Sequence, residues 1–142
     1  MNINQEEINI FRVIDANLNR LKEGIRVVED INRYIFNDKN TSSELKKIRH
    51  RVKIQSEIYQ KLLDSRDSRK DVLKATLKEE NKRESIFDIL KANYRRATES
   101  SRVLEEIYKI EDLNLSEEFK SIRYDLYSIE KDNFENFKNI RS

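Results

Sequence analysis

Apolar residues recur along the chain at intervals of three and four positions, the spacing of helices that each bury one face. This pattern predicts four helices: one over about 5–35, one from about Leu45 to Leu63, one beginning near Ser85, and one carrying 119–137. Ser42 or Ser43 is expected to cap the second helix. Asn114 and Ser116 are expected to separate the third from the fourth. Residues 71–83 form either a loop or a short helix.

The first and third predicted helices are similar in sequence. ANLNRLKEGIRVVEDI (16–31) and ANYRRATESSRVLEEI (92–107) are identical at eight of sixteen positions, and ELKKIR (44–49) resembles EFKSIR (118–123). Such internal similarity is the mark of a repeated structural unit. We therefore predict a single all-α domain over 1–142, a helical bundle from a tandem duplicated αα-hairpin, with repeats at about 5–64 and 85–141 and a connector over 65–84.

Both copies place polar residues within the expected apolar stripe. Asn17 is predicted at its centre and Arg20 on its flank, and Asn93 and Arg96 repeat this arrangement. Arg49 and Arg123 are predicted close to the centre of the apolar stripe on the second helix of each hairpin. Buried polar groups need partners, which allows two interpretations that can coexist. Either the amides bond across the axis and Arg–Glu pairs join the helices, or the side chains line a cavity for an anionic ligand.

Composition narrows the chemistry. With 29 basic and 27 acidic residues the net charge is +2, which disfavours a nucleic-acid-binding protein. The sequence has no cysteine and one histidine, His50, so a thiol nucleophile, a Cys-ligated zinc site and an HExxH motif are all excluded. His50 is expected on the surface. We find no signal peptide and no apolar run long enough to span a membrane, and expect a cytoplasmic protein.

Charged residues repeated between the copies are the remaining candidates. They are Glu23 and Arg26 in the first copy and Glu99 and Arg102 in the second. Together with Glu29 and Glu105 they form Glu–Arg–Glu runs at intervals of three, which are typical of solvated salt-bridge ladders. In the connector, Arg66, Asp67 and Asp71 are close enough in sequence for a contact with Mg²⁺ and phosphate, although a solvated loop is the simpler interpretation.

The motifs also resemble those of a known family. Asp15-Ala16-Asn17, Asn19-Arg20, Glu23-Gly24, Arg26-Val27 and Glu29-Asp30 look like the opening of a helical domain found alone or fused in front of thiamine-phosphate synthase. The likeness continues through Arg66-Asp67-Ser68, Asn93-Tyr94-Arg95-Arg96 and Arg123-Tyr124, and it covers about residues 11–131. The synthase barrel itself is not expected, because the chain has no alternation of strand and helix patterns.

This resemblance implies thiamine biosynthesis, and specifically an alternative hydroxymethylpyrimidine-phosphate kinase that uses ATP and Mg²⁺. Arg20, Arg49, Arg66, Arg96 and Arg123 would then neutralise phosphate, with Asn17 and Asn93 orienting the pyrimidine phosphate. Asp67 and Asp71 would be catalytic or hold Mg²⁺, and the repeated Glu–Arg residues would support the site. The alternative is a non-catalytic module that binds thiamine-phosphate synthase. A homo-oligomer is also an expectation, whereas nucleic acid and membranes are not expected partners.

Overall fold

The computed structural model describes residues 3–52, 56–67, 69–73 and 82–141. Five α-helices account for most of them: α1 (Ile3–Asp30), α2 (Lys39–Arg51), α3 (Ser56–Ser65), α4 (Ile86–Glu111) and α5 (Leu113–Arg141). A single π-helical turn, Ile31–Ile35, ends the first. The all-α class predicted from the sequence is confirmed, and the described residues contain no β-strand.

The first helices of the two hairpins, α1 and α4, pack along each other and form the centre of the bundle. α2 and α3 cover α1, and α5 covers α4. The buried residues of α1 follow the intervals of three and four that its sequence shows, and they are Ile14, Leu18, Leu21, Ile25 and Val28. Those of α4 do the same through Leu90, Tyr94, Ala97, Ser101, Leu104 and Tyr108.

Gly24 brings the two central helices close together. A Cβ atom at this position would lie 3.0 Å from the backbone oxygen of Asn93 and 3.3 Å from the backbone nitrogen of Ala97. Any side chain would therefore press against the backbone of α4. The glycine is used here for close approach rather than for backbone freedom, since its φ angle is not positive.

The second arm of the first copy differs from its prediction. Instead of one helix to Leu63, α2 stops at Val52, whose ψ of 77° leaves the helical region, and α3 is a separate helix. No proline or glycine marks this break. Val52 is buried, and Arg51 beside it is bonded to Glu118 and Asp125 of α5, so tertiary contacts fix the place where α2 ends.

Two helix caps were also predicted at the wrong residues. Asp38, not Ser42 or Ser43, caps α2, because its carboxylate accepts the Thr41 N–H at 3.0 Å. Asp112, rather than Asn114 or Ser116, separates α4 from α5 and accepts the backbone N–H of Asn114 at 3.0 Å. The predicted start near Ser85 is confirmed, since its hydroxyl caps α4. The possible short helix over 71–83 falls largely outside the described residues.

A buried polar network joins the π-helical turn after α1 to α4 and α5. Asn32 and Asn133, both fully buried, exchange hydrogen bonds of 3.1 and 2.8 Å, and the Tyr94 hydroxyl donates to Asn133 at 2.7 Å. Burial raises the pKa of Tyr94, which keeps its hydroxyl protonated as a donor. The sequence analysis missed this network, although Asn133 occupies a stripe position between Ile129 and Phe137.

Candidate functional site

Arg66, Asp67 and Asp71 of the connector lie beside the N-terminal half of α1, and an open cavity of about 550 Å³ is found between them. We call it the α1–connector cavity. Five residues predicted for the site line it together: Asn17, Arg20, Arg66, Asp67 and Asp71. The remaining walls include Arg12, Asp15 and Asn19. A volume of this order suits a small organic ligand.

Asp15 holds the connector in place. Its buried carboxylate accepts Nε of Arg66 at 2.8 Å and Nη2 of Arg66 at 2.7 Å, a two-point ion pair. Asn19 donates to the same carboxylate at 3.4 Å. Donation to Asp15 raises the pKa of Arg66, so its guanidinium stays charged. Nη1 of Arg66 takes no part in this pair, and its two N–H donors can serve a ligand.

Asn17 and Arg20 sit differently on α1 from the arrangement predicted. The burial pattern puts the centre of the stripe near Ile14, about 60° from Asn17 at 100° per residue. Asn17 is therefore a buried residue at the edge of the stripe, where its Nδ2 donates to the Val13 carbonyl at 2.9 Å. Arg20 is exposed rather than within the stripe, and within the described part of the chain it forms no ion pair.

The second copy does not reproduce this site. Asn93 donates to the Ile89 carbonyl at 2.8 Å, as Asn17 does to Val13, so each amide group bonds to its own helix rather than across the axis. Arg96 is exposed on α4. Neither residue lines the α1–connector cavity, so the structure does not bring the two Asn–Arg pairs into one site.

Arg49 and Arg123 join the two arms of their own hairpins. Arg49 donates to Glu29 through Nε at 2.6 Å and Nη2 at 3.1 Å, and Arg123 donates to Glu105 at 3.1 and 2.8 Å. Because both carboxylates are buried, these are interhelical ion pairs and not the solvated ladder expected for Glu29 and Glu105. The prediction that Arg–Glu pairs join the helices is thereby confirmed. A role for either arginine on phosphate stays a prediction.

The four repeated Glu and Arg residues expected to support the site lie on two helices, Glu23 and Arg26 on α1 and Glu99 and Arg102 on α4. Glu23 and Arg26 line a second cavity between α1 and α2, together with Arg49 and His50. Arg102 pairs with Glu105 and Glu106 at 3.3 and 3.1 Å, and Glu99 is exposed. His50 is on the surface, as expected.

A divalent cation would find few protein ligands here. Among the described residues no group of three or more His, Cys, Asp or Glu side chains could hold a metal ion. Asp67 and Asp71 are both exposed, and each accepts a backbone N–H of the connector through Oδ1, from Lys70 at 3.3 Å and Leu73 at 2.9 Å. Two carboxylates fit Mg²⁺ only if phosphate and water supply the other ligands, as is usual for this ion.

Comparison with known proteins identifies the family. The model of the ThiD2 family matches residues 12–132, which include most of both repeats and the whole connector. The chain belongs to the ThiD2 family. The family match thus covers all residues of the α1–connector cavity that the sequence analysis predicted.

Two relatives are similar in sequence to most of this chain. A thiamine-phosphate synthase of Nostoc punctiforme is 34% identical over 122 residues, which are 85% of this chain and 34% of the relative. A thiamine-phosphate synthase of Prochlorococcus marinus (strain AS9601) is 34% identical over 137 residues, 94% of this chain and 38% of the relative. The chain therefore spans little more than a third of these proteins. No solved structure matches it significantly. None of the described helices has an apolar stretch that would allow it to cross a bilayer.

Proposed function

We propose that the chain acts in thiamine biosynthesis as a helical ligand-binding module that associates with thiamine-phosphate synthase. The relatives named for that enzyme support this proposal, because each contains a region similar to nearly the whole of this chain. The match covers 34% and 38% of these two relatives, so synthase activity is not part of the proposal. A module that works beside the synthase is the function these matches support most directly.

The ligand that we propose is hydroxymethylpyrimidine phosphate, bound in the α1–connector cavity. The observation that carries this proposal is the meeting of Arg20 and Arg66 with Asn17 in one cavity. Two guanidinium groups supply the charge and the donors that phosphate requires. Asn17 uses its Nδ2 on Val13, which leaves its Oδ1 as an acceptor for a polar group of the ligand.

Binding is tested by calorimetry with hydroxymethylpyrimidine phosphate. Arg20→Gln should weaken binding at least tenfold, because an exposed cation of the cavity is lost without disturbing an ion pair. Lys120→Gln, which removes one exposed cation from α5, is the matched control and should bind as the wild type does. Absence of binding to the wild type, or equal binding by Arg20→Gln, would contradict the proposal.

The partner is tested separately. Purified chain and a purified thiamine-phosphate synthase that lacks its own copy of this helical region should co-elute in size-exclusion chromatography. The same measurement on the chain alone, with light scattering, tests the predicted homo-oligomer. Elution of the two proteins at their separate volumes at all concentrations tried would rule out a stable association.

A phosphotransferase is the second candidate, because Asp67 and Asp71 line the same cavity as the two arginines. Phosphoryl transfer needs mainly positioning and charge stabilisation, which arginines and Mg²⁺ held by carboxylates provide. ATP would donate its γ-phosphoryl group to the phosphate of the substrate and leave as ADP, and Mg²⁺ would neutralise the charge on the phosphates. Phosphorus NMR of the chain with ATP, Mg²⁺ and hydroxymethylpyrimidine phosphate should then show the pyrophosphate product, and Asp67→Asn should abolish it. Tight binding without any product would leave the binding module as the function.

A further inference from the structure

Three exposed residues at intervals of seven form a stripe along the outer side of α5. They are Glu117, Tyr124 and Lys131, and at 100° per residue they lie within about 40° of one another around the helix. Ile122 and Leu126 of the same helix are buried in the bundle. The stripe therefore lies on the solvent side of α5, and along the helix it changes from acidic through aromatic to basic.

The aromatic centre of the stripe is held in a fixed arrangement. Tyr124 and Tyr127 are 54% and 44% exposed, and their rings meet edge to face with centroids 6.0 Å apart. The guanidinium of Arg123 lies 4.9 Å from the first centroid and 5.8 Å from the second, and it donates to Glu105. Tyrosine and arginine are enriched among the residues that contribute most to protein–protein binding, and side chains already held in place lose little entropy on association.

The charged ends of the stripe are unpaired within the described part of the chain. Neither Glu117 nor Lys131 forms an ion pair there, whereas Lys109 of α4 and Lys138 of α5 are paired with carboxylates of their own helices. Each end is seven residues from Tyr124, about 10 Å along the helix. The acid and the base are therefore available to a partner and are placed symmetrically about the tyrosine.

This spacing makes the stripe complementary to a second copy of itself. When two α5 helices pack antiparallel about a two-fold axis at Tyr124, Glu117 of each copy lies opposite Lys131 of the other. A two-fold interface uses the same patch on both subunits, which is what a self-complementary stripe provides. Equal numbers of acids and bases do not favour nucleic acid or an anionic membrane, because these need an excess of cations.

We propose that the chain forms a two-fold symmetric homodimer in which the α5 helices pack antiparallel about Tyr124. Glu117 of each copy pairs with Lys131 of the other, and the tyrosines form the centre of the contact. One helix from each copy gives a small interface, so the dimer dissociates on dilution. The residues that line the α1–connector cavity belong to α1 and the connector, and the dimer therefore does not depend on the ligand proposed for that cavity.

Sedimentation equilibrium of the chain alone, over a series of concentrations, tests the dimer. The wild type should show a monomer–dimer equilibrium, and Tyr124→Ser should weaken self-association at least tenfold. Tyr34→Ser is the matched control, because it removes a tyrosine that is 65% exposed at the π-helical turn, and it should leave the affinity within about twofold. Circular dichroism should show that both variants are as helical as the wild type.

Exchange of the two charges tests the antiparallel register. Glu117→Lys and Lys131→Glu each place like charges opposite one another at both ends of the contact, and each should weaken self-association at least tenfold. An equimolar mixture of the two variants should regain the wild-type affinity as a heterodimer, because every contact again joins an acid to a base. The doubly substituted Glu117→Lys/Lys131→Glu should form a homodimer for the same reason.

Three results would overturn the proposal. They are a wild type that is monomeric at every concentration tried, equal self-association of Tyr124→Ser and the wild type, and no recovery in the mixture of charge variants. If the chain alone is monomeric and Tyr124→Ser no longer co-elutes with thiamine-phosphate synthase, the stripe binds that partner instead of a second copy. Pyrimidine phosphate binding should be the same in all these α5 variants as in the wild type. A wild type that dimerises but binds no pyrimidine phosphate would contradict the proposed ligand and leave the dimer intact.

Discussion

Glu105 is 4% exposed and lies against Arg123, whose Nε and Nη2 both donate to one of its oxygens. Burial opposes the charge on Arg123, but its hydrogen bonds to its neighbours Tyr127 and Glu105 raise its pKa overall. A guanidinium group is not deprotonated in proteins, so Arg123 stays charged if the carboxylate is removed and is then left without this buried partner. The position of Glu29 and Arg49 in the first copy is equivalent, so the duplication preserved this pair as a unit.

We expect Glu105→Gln to lower the free energy of unfolding by about 3 kcal/mol, measured by urea denaturation, because breaking a buried pair leaves one charge uncompensated. Replacing both residues, as Glu105→Gln/Arg123→Met, should recover part of the loss. Glu106→Gln is the matched control, since Glu106 is exposed and pairs only with surface cations, and it should change stability little. Equal effects of the two single variants would show that the buried pair has no special role.

The burial of Glu130 on α5 makes the stability of the fold depend on pH. Burial raises the pKa of Glu130, and Arg95 and Lys91 on α4 offset this only in part. A raised pKa in the folded state means that the ionised carboxylate opposes folding. This penalty is absent below the pKa of the unfolded chain, about 4.3, and develops as pH rises through the folded-state pKa.

Glu130→Gln should therefore melt at a higher temperature than the wild type at pH 7, and the difference should shrink towards zero at pH 4. Thermal denaturation at the two pH values measures it. Glu135→Gln changes the same group at an exposed position of the same helix and should show no such gain. A wild type that is more stable than Glu130→Gln at pH 7 would mean that attraction to Arg95 and Lys91 outweighs burial.

At the scale of elements, the crossing of α1 and α4 depends on Gly24. The contacts of 3.0 and 3.3 Å that a Cβ would make are with backbone atoms of α4, which cannot rotate away as a side chain can. We expect Gly24→Val to lower the free energy of unfolding by about 1–3 kcal/mol through overpacking. Valine is a better helix former than glycine, so helix propensity opposes this loss and cannot explain it. A Gly24→Val variant as stable as the wild type in urea denaturation would show that the close approach of the two helices is not required.

The elements that could be predicted from the sequence are those governed by periodicity. The buried stripes of α1 and α4 and the start of α4 at Ser85 follow from local patterns. The break at Val52 could not be predicted, because it depends on contacts of Arg51 with α5 and no local signal marks it. Asp38 was missed as a cap because Ser42 and Ser43 are equally good capping residues on sequence grounds.

The candidate site was predictable in composition but not in location. Repeat identity pointed to Asn17 and Arg20, and the connector motif pointed to Arg66, Asp67 and Asp71, which do meet in one cavity. Asp15, which anchors Arg66, was not proposed as a site residue. Its contact spans 51 positions of sequence, and no local pattern shows such a pairing.

At the scale of the whole molecule, the two copies of the hairpin are no longer equivalent. The connector is anchored to the first copy, because Arg66 is bonded to Asp15. The residue that corresponds to Asp15 in the second copy, 76 positions later, is Lys91. The lysine ammonium group has no hydrogen-bond acceptor and cannot form an ion pair with an arginine. At this position α4 therefore lacks the carboxylate that would hold a connector over Asn93 and Arg96. Of the two copies, therefore, only the first carries the anchor that forms the α1–connector cavity in the described part of the chain.

This asymmetry predicts different effects of the same change in the two copies. Arg20→Gln should weaken binding of hydroxymethylpyrimidine phosphate at least tenfold in calorimetry, whereas Arg96→Gln should leave the affinity within about twofold, because Arg96 is exposed on α4 outside the cavity. Both substitutions remove one exposed cation from the same position of the repeat, so each controls for the other's effect on net charge and helix stability. Equal loss of affinity in the two variants would show that the ligand contacts both copies. It would then lie between the hairpins rather than beneath the connector.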